Sequence, residues 1–183
     1  MSNEYITKHA FMNALLTLTE YQDFNKLTVS QITREVDMHR QSFYYHFHDK
    51  YDLLSYTYHE LSFTYFDKDQ VTLDNWLEQT KKMLTSINEH KAFYTNTAVS
   101  DQNTLLLTFS KVIQARLEDM LTEINSDQRL SDYDRRFYAE FFGYGCAGTL
   151  VDWIIGGYQI PPKDIAEKFA KLIQDIKHYS PKL

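Results

Sequence analysis

The chain has 183 residues, of which 43% are hydrophobic, 15% aromatic and 24% charged. This balance is typical of a globular protein with a substantial core and excludes a disordered or low-complexity chain. The formal net charge of −6 excludes nucleic-acid binding through overall charge alone. Any such function must therefore depend on where a few cations lie.

The sequence lacks a membrane-spanning segment, a secretion signal and a pair of cysteines, and these features bear on where the protein is located. The longest uncharged apolar stretch, residues 141–151, is shorter than the roughly 20 residues that a membrane-spanning helix needs. The first 20 residues lack the basic start and cleavage site of a secretion signal. Cys146 is the single cysteine, so no disulfide can form within one chain, and it fits either a small core residue or a redox-sensitive thiol. We expect a soluble, cytoplasmic protein.

Glycine and proline are unevenly distributed along the chain. All five glycines lie between residues 143 and 157, and the prolines are at positions 161, 162 and 181. Residues 1–142 therefore contain neither of the strong helix breakers, and no strand-like alternation persists. The chain is predicted to be all-α, with about nine helices.

The first predicted helices lie within residues 1–50. A helix over about residues 3–21 carries apolar residues at helical spacing on one face. A short second helix has Val29, Ile32 and Val36 on one stripe, and Thr28 stands where a hydroxyl can cap it. Asp37 tolerates the left-handed backbone of a tight turn. These features predict a helix-turn-helix.

The third predicted helix begins at about Arg40 and presents a polar and aromatic outer face. Phe43 and Phe47 are one turn apart and are expected to point inward. A helix of this length fits the major groove, where guanidinium, amide and hydroxyl groups read base edges and other donors hold phosphates. The predicted DNA-binding residues are Thr28, Arg40, Gln41, Ser42, Tyr44, Tyr45, His46 and Lys50. Residues 1–50 carry a net charge of only −1, which leaves −5 for the remainder.

The run F-Y-x-H-F-x-x-K at residues 43–50 resembles the DNA-binding head of the TetR/AcrR family of bacterial transcriptional regulators. Thr28, Val29 and Ile32 match the start of that family's second helix. Asp37 and His39 depart from the Gly and Ser that many members carry there. The resemblance implies a three-helix DNA-binding head, placed at residues 1–49, and a helical ligand-binding and dimerisation domain at residues 50–183.

Six further helices are expected after the head. Their predicted ranges are about 50–66, 73–89, 91–98, 103–124, 132–155 and from Pro162 onward, with a charged hinge at 67–70. Pro161 and Pro162 suit the start of the last helix, since proline is favoured at a first helical position.

The glycines of the long helix over residues 132–155 need an explanation, because each costs about 1 kcal/mol relative to alanine. In the resembling family, the last two long helices pair with those of a second subunit, and small residues allow such close approach. The segment Trp153–Gly157 also resembles the C-terminal region of one branch of that family. The predicted dimer residues are Phe141, Gly145, Gly148, Phe169 and Ile173. Packing within one chain is the alternative explanation.

Large amphipathic side chains near the middle of predicted helices suggest a pocket for an apolar or aromatic effector. The predicted lining residues are Trp76, Tyr94, Phe109, Tyr144 and Trp153. No phosphate loop, HExxH or CxxC motif occurs, so no catalytic residue and no cofactor is expected. His46 and His48 lack a carboxylate that would complete a metal site, so no metal is expected.

The sequence thus predicts a homodimeric, non-enzymatic repressor that binds a pseudo-palindromic DNA operator and is released by a small molecule. Two alternatives remain open. One is an activator or co-regulator of the same family that uses a protein partner. The other is a helical ligand-binding or adaptor protein without DNA binding, which the near-neutral head allows.

Overall fold

The computed structural model describes residues 3–72, 74–124 and 129–179, without the side chains of residues 124 and 172–179. These residues form nine α-helices and no strand, which confirms the predicted all-α fold. The helices are α1 (Asn3–Thr19), α2 (Val29–Glu35), α3 (Arg40–His46), α4 (Lys50–Ser62), α5 (Trp76–Glu89), α6 (Lys91–Ser100), α7 (Gln102–Ile124), α8 (Asp132–Ile155) and α9 (Pro162–Tyr179). Two short 3₁₀ segments, Phe24–Lys26 and Phe63–Phe66, lie between helices. No helix within the described ranges has the length and apolar character needed to cross a membrane.

Local signals in the sequence place the helix-turn-helix of α2 and α3. The Thr28 hydroxyl accepts from the Gln31 amide at the start of α2, and the Gln31 side chain accepts from the Thr28 amide, which completes a capping box. Asp37 has a left-handed backbone with φ of 52°. This conformation reverses the chain between α2 and α3 within a few residues.

An aromatic core holds α1 against α3. The rings of Phe11 and Phe43 meet edge to face at 5.3 Å, and Phe47 packs against both. Phe11 and Phe43 are fully buried. Burial of such side chains stabilises the fold by about 1.5–3 kcal/mol each, so this core holds the outer face of α3 in a defined direction.

The C-terminal helices surround a second aromatic core. Tyr58 stacks on Tyr94 at 5.2 Å, and Phe63 packs on Phe109 at 5.0 Å. Helix α4 contributes to both cores, because it packs against α1 as well as against α5 and α7. The predicted domain division at residue 49 therefore stays a prediction, since α4 is shared between the two parts.

The longest helices, α7 and α8, pack along each other, and α9 packs on α5. A Cβ added at Gly143 would lie 3.0 Å from the Ser110 backbone oxygen and 2.5 Å from Gln114 Cγ. Gly143 therefore permits the close approach of α7 and α8 within one chain. For this glycine, the intrachain explanation is the one that the structure supports.

Two helix boundaries differ from the predicted ones by three or more residues. Helix α4 ends at Ser62, and the chain continues as a 3₁₀ turn to Phe66 instead of as one helix. Helix α5 begins at Trp76 instead of near residue 73, which itself lies outside the described residues. Apolar residues continue through both boundaries, so periodicity alone could not place them.

Candidate nucleic-acid interface

Helix α3 presents four exposed side chains over a buried anchor. Arg40, Gln41, Tyr44 and Tyr45 are exposed, whereas Phe43 is fully buried beneath them. Tyr45 is 83% exposed, which is unusual for a large aromatic residue. Ser42 and His46 are partly buried at the sides of the same helix. Six of the eight predicted DNA-binding residues are thus brought together on one short helix.

Arg40 and Tyr44 form a pair one helical turn apart on this surface. The Arg40 Nη2 donates to the Tyr44 hydroxyl at 3.1 Å, and the guanidinium carbon lies 5.8 Å from the centre of the ring. The contact limits the conformations of a long side chain before any ligand arrives. Such preorganisation lowers the entropic cost of a later contact.

The Thr28 hydroxyl is occupied in the cap of α2. It donates to Gln31 Oε1 at 2.8 Å and accepts from the Gln31 backbone amide. Since a hydroxyl has one proton to donate, its donor is used within the chain. In this arrangement Thr28 positions the start of α2, and a contact with DNA would have to replace the bond to Gln31.

Lys50 is placed differently from the expectation that it holds a phosphate. Its ammonium donates to the carbonyl oxygens of Phe24 and Asn25 at 2.9 Å each and of Leu27 at 3.0 Å. The same nitrogen lies 4.7 Å from the centre of the Phe24 ring, and burial lowers the pKa of Lys50 below its ordinary value. An ammonium has three donor protons, so none remains for a phosphate in this arrangement.

The structure reveals one polar residue near the head that sequence reasoning missed. Asn96 on α6 accepts from the Phe24 amide at 3.0 Å and donates to the carbonyl oxygens of Thr19 and Gln22 at 2.8 and 3.1 Å. No motif marks this asparagine, because its partners lie more than 70 residues earlier in the chain.

The outer face of α8 carries a stripe of aromatic residues and glycines. Phe137, Phe141 and Tyr144 are 53%, 66% and 50% exposed. Gly145 and Gly148 lie on the same side, and a Cβ added at either would meet no atom within 4 Å. Ile155, which is 40% exposed, lies on this side as well. We name this surface, formed by residues 137, 141, 144, 145, 148 and 155, the α8 outer face. Its spacing of three and four residues places all six positions on one side of the helix.

The other two predicted dimer residues lie on α9. Phe169 is partly buried and packs against the core of its own chain. The side chain of Ile173 lies outside the described residues. The described part of α9 buries Ile165 and Ala166 and leaves mainly charged residues exposed. The described surface of α9 thus differs from the α8 outer face, which presents aromatic side chains and glycines, with the exposed Asp152 on the same side of the helix.

The five residues predicted to line an effector pocket lie in different surroundings, and none of them lines the concave site described below. Tyr94 and Phe109 are buried in the second aromatic core, and Trp153 is buried with its indole nitrogen donating to the Ile160 carbonyl at 2.8 Å. Trp76 packs partly buried against the core, and Tyr144 lies on the α8 outer face. Residue type and position within a helix cannot distinguish a packed aromatic residue from a ligand contact.

A concave site of about 420 Å³ lies elsewhere, between the second 3₁₀ segment, α5 and α9. It contains none of the five predicted residues and is lined largely by charged side chains, among them Glu78, Lys81 and Lys163. Lys81 and Lys163 each lie 3.9 Å from Glu167. This groove is open and lined mainly by charged residues, unlike the apolar pocket that was predicted.

Cys146 is partly buried on α8. Burial raises the pKa of its thiol to about 11. Since the thiolate is the reactive form, this environment favours the core interpretation over the redox-sensor interpretation.

Comparison with known proteins decides the family. Residues 12–57 match the family model described as "Bacterial regulatory proteins, tetR family", and residues 74–175 match the model described as "Transcriptional regulator C-terminal region". The chain belongs to the TetR family of transcriptional regulators. The prediction of a DNA-binding transcriptional regulator with a helix-turn-helix is thereby confirmed.

Individual transcriptional regulators are similar to the chain over most of its length. The HTH-type dhaKLM operon transcriptional activator DhaS of Lactococcus lactis subsp. lactis (strain IL1403) is 26% identical over 163 residues, covering 86% of this chain and 84% of that protein. A solved structure of a dihydroxyacetone kinase operon activator DhaS has a TM-score of 0.64 at 22% identity and covers 94% of this chain and 97% of that chain. The TetR-family repressor AlkX from Dietzia sp. strain DQ12-45-1b has a TM-score of 0.48 at 16% identity. The similarity to the DhaS structure supports the fold.

Proposed function

We propose that the protein is a dimeric regulator that reads a pseudo-palindromic DNA operator with α3. The observation that carries this proposal is the exposed polar face of α3 over the buried Phe43. Arg40, Gln41 and Ser42 would read base edges in the major groove. Tyr44, Tyr45 and His46 would contact phosphates or sugars and set the register. Thr28 would contribute through the start of α2.

The dimer would form through the α8 outer face. Exposed aromatic rings cost solvation free energy until they are covered, and the open space in front of Gly145 and Gly148 would admit a second helix. A two-fold axis places two recognition helices on neighbouring major grooves. Because Phe169 is engaged in its own chain, α8 would contribute more of this surface than the described part of α9.

The test of DNA recognition is selection of duplexes from a random-sequence pool with the wild-type protein, followed by gel shift. We expect two related half-sites about one helical turn apart, or a multiple of that distance. Gln41→Ala should lose base preference at one position of each half-site. Tyr45→Ala should weaken binding to all sequences alike. If no sequence is enriched, the proposal is overturned.

We further propose that control of transcription depends on a partner protein or on promoter contacts instead of on an apolar effector. The observation behind this choice is the packed position of Tyr94, Phe109 and Trp153. The name of the Lactococcus relative, a transcriptional activator, points in the same direction. Release of a repressor by a small molecule is the competing function.

Tryptophan fluorescence combined with gel shift distinguishes these two functions. Aromatic and apolar compounds would be screened for a change in Trp76 and Trp153 fluorescence, and each hit would be added to a gel shift with the selected duplex. Transcription from a promoter carrying that duplex would be measured in parallel. We expect no compound to change DNA affinity. A compound that lowers DNA affinity a hundredfold would contradict this proposal and support a repressor that is released by a small molecule.

A further inference from the structure

We propose that Lys50 and Asn96 are positioning residues that fix the connection between α1 and α2, and thereby the direction in which α3 faces DNA. We name residues 20–28 the α1–α2 connection. This inference rests on the proposed DNA recognition by α3. It assigns to Lys50 a role other than phosphate binding, and to Asn96 a role in coupling the C-terminal helices to the head.

Lys50 holds the connection from the side of α4. Its three donor protons match three backbone carbonyls, those of Phe24, Asn25 and Leu27, all within 3.0 Å. Hydrogen bonds from a charged donor are roughly twice as strong as neutral ones. Turning the ammonium toward a phosphate would break all three bonds, two of them in part-buried surroundings. The geometry therefore opposes a phosphate contact.

Asn96 holds the same connection from the side of α6. A side-chain amide has two donor protons and one acceptor oxygen, and all are used, on Phe24, Thr19 and Gln22. In a fourth hydrogen bond the side chain belongs to the head instead of to α6: Asn25 Nδ2 donates to the Ser100 carbonyl oxygen at 2.9 Å. Helix α6 is thus attached to the head by side-chain bonds on both partners.

Lys50 and Asn96 both form hydrogen bonds with the backbone of Phe24. Its amide donates to Asn96, its carbonyl accepts from Lys50, and its ring is fully buried. The network continues to α2, because Gln31 donates to the Gln22 side chain at 2.9 Å and caps Thr28. A displacement of α6 would therefore move α2, and α3 follows through the short turn at Asp37.

Salt dependence separates positioning from phosphate binding at Lys50. The duplex selected by the wild-type protein would be bound by Lys50→Met, which keeps the stem, and by Lys50→Arg, which keeps the charge. We expect both to bind roughly tenfold more weakly, since neither supplies three donors from one point. The slope of log affinity against log salt should match that of Lys26→Met, an exposed lysine on the same connection that serves as the charge control.

The opposite pattern would overturn the assignment of Lys50. A phosphate ligand tolerates arginine, and its loss lowers the salt slope by about 0.9 per contact and per head. Wild-type affinity in Lys50→Arg, together with a lower slope in Lys50→Met than in Lys26→Met, would therefore assign a phosphate contact.

Half-site spacing tests Asn96, which lies outside the head. The wild-type protein, Asn96→Ala and Asn96→Asp would be bound to the selected duplex and to duplexes with one base pair added or removed between half-sites. A rigid head discriminates strongly among these spacings. A loosened head should bind the selected duplex roughly tenfold more weakly and discriminate less. Asn96→Asp retains the acceptor but faces two carbonyls with a carboxylate, so its loss should be at least as large.

Loss of folding alone would not change the spacing ratio, because unfolded protein lowers binding to every duplex equally. Asn25→Ala, which removes only the exposed bond to Ser100, provides a milder variant with the same expected direction. Unchanged affinity and spacing ratios in folded Asn96→Ala and Asn25→Ala would overturn the inference. If the wild-type protein selects no duplex, the proposed function itself fails, which is a distinguishable result.

Discussion

Arg40 and Tyr44 touch before DNA is present, so their contributions to recognition should depend on each other. We expect Arg40→Ala to relax base preference by about 1–3 kcal/mol. Tyr44→Phe should release the guanidinium as well as remove a hydroxyl. A double-mutant cycle measured by gel shift should therefore give a coupling energy of at least about 0.5 kcal/mol. Strictly additive effects would show that the pair is broken in the complex.

Cys146 offers a prediction about reactivity. Its pKa of about 11 leaves about a hundredfold less thiolate at pH 8 than the ordinary thiol pKa of 9.0 would. Alkylation by iodoacetamide, followed by mass spectrometry, should therefore be at least that much slower than in urea-unfolded protein. Because the unfolded thiol ionises first, the free energy of unfolding should also fall as pH rises from about 9 toward 11. Fast alkylation of folded protein would revive the redox-sensor interpretation.

Single residues show where sequence reasoning succeeds and where it stops. The outward position of Arg40 and Gln41 follows from the spacing of Phe43 and Phe47, since helical periodicity is local. The role of Lys50 does not follow, because its acceptors lie 23 to 26 residues earlier and are backbone atoms. The same limit applies to Tyr94 and Phe109, for which packing against neighbours decides between core and pocket.

At the scale of helices, predictability depends on the signals at each end. Helix α8 runs from Asp132 to Ile155 as predicted, because Ser131 caps its start and Gly157 provides a left-handed residue after its end. The end of α4 has no such signal, since Tyr58, Phe63 and Phe66 continue the apolar pattern into a 3₁₀ turn. The core requires those aromatic side chains whether or not the backbone stays α-helical.

The glycines of α8 provide a matched pair of variants. Gly143→Ala should lower the free energy of unfolding by about 1–3 kcal/mol, because the new methyl group meets the Ser110 carbonyl oxygen of α7. Gly145→Ala meets nothing within its own chain and should gain up to about 1 kcal/mol in helix propensity. Urea unfolding at a protein concentration where both variants have the same oligomeric state would measure the difference. Equal stability of the two would contradict the packing described for α7 and α8.

At the scale of the whole molecule, the net charge of −6 requires recognition to be local. A single head with four exposed side chains on α3 makes too few contacts for tight binding, so the second head must supply the rest. The outward direction of α3 and the α8 outer face belong to distant parts of the chain. Helices α4 and α6 connect the head with the rest of the molecule, because both pack against α1, and α6 also packs against α8.

The last prediction concerns that dimer. Gly148→Leu has open space in its own chain, so the variant should fold, but its side chain would hold a second α8 away. We expect monomers by light scattering at micromolar concentration and at least tenfold weaker binding to the selected duplex. Ala115→Leu adds the same kind of side chain at an exposed position of α7 and should leave both properties unchanged. A Gly148→Leu variant that remains dimeric would place the subunit contact on another surface, and a wild-type protein that is monomeric would remove the dimer from the proposed function.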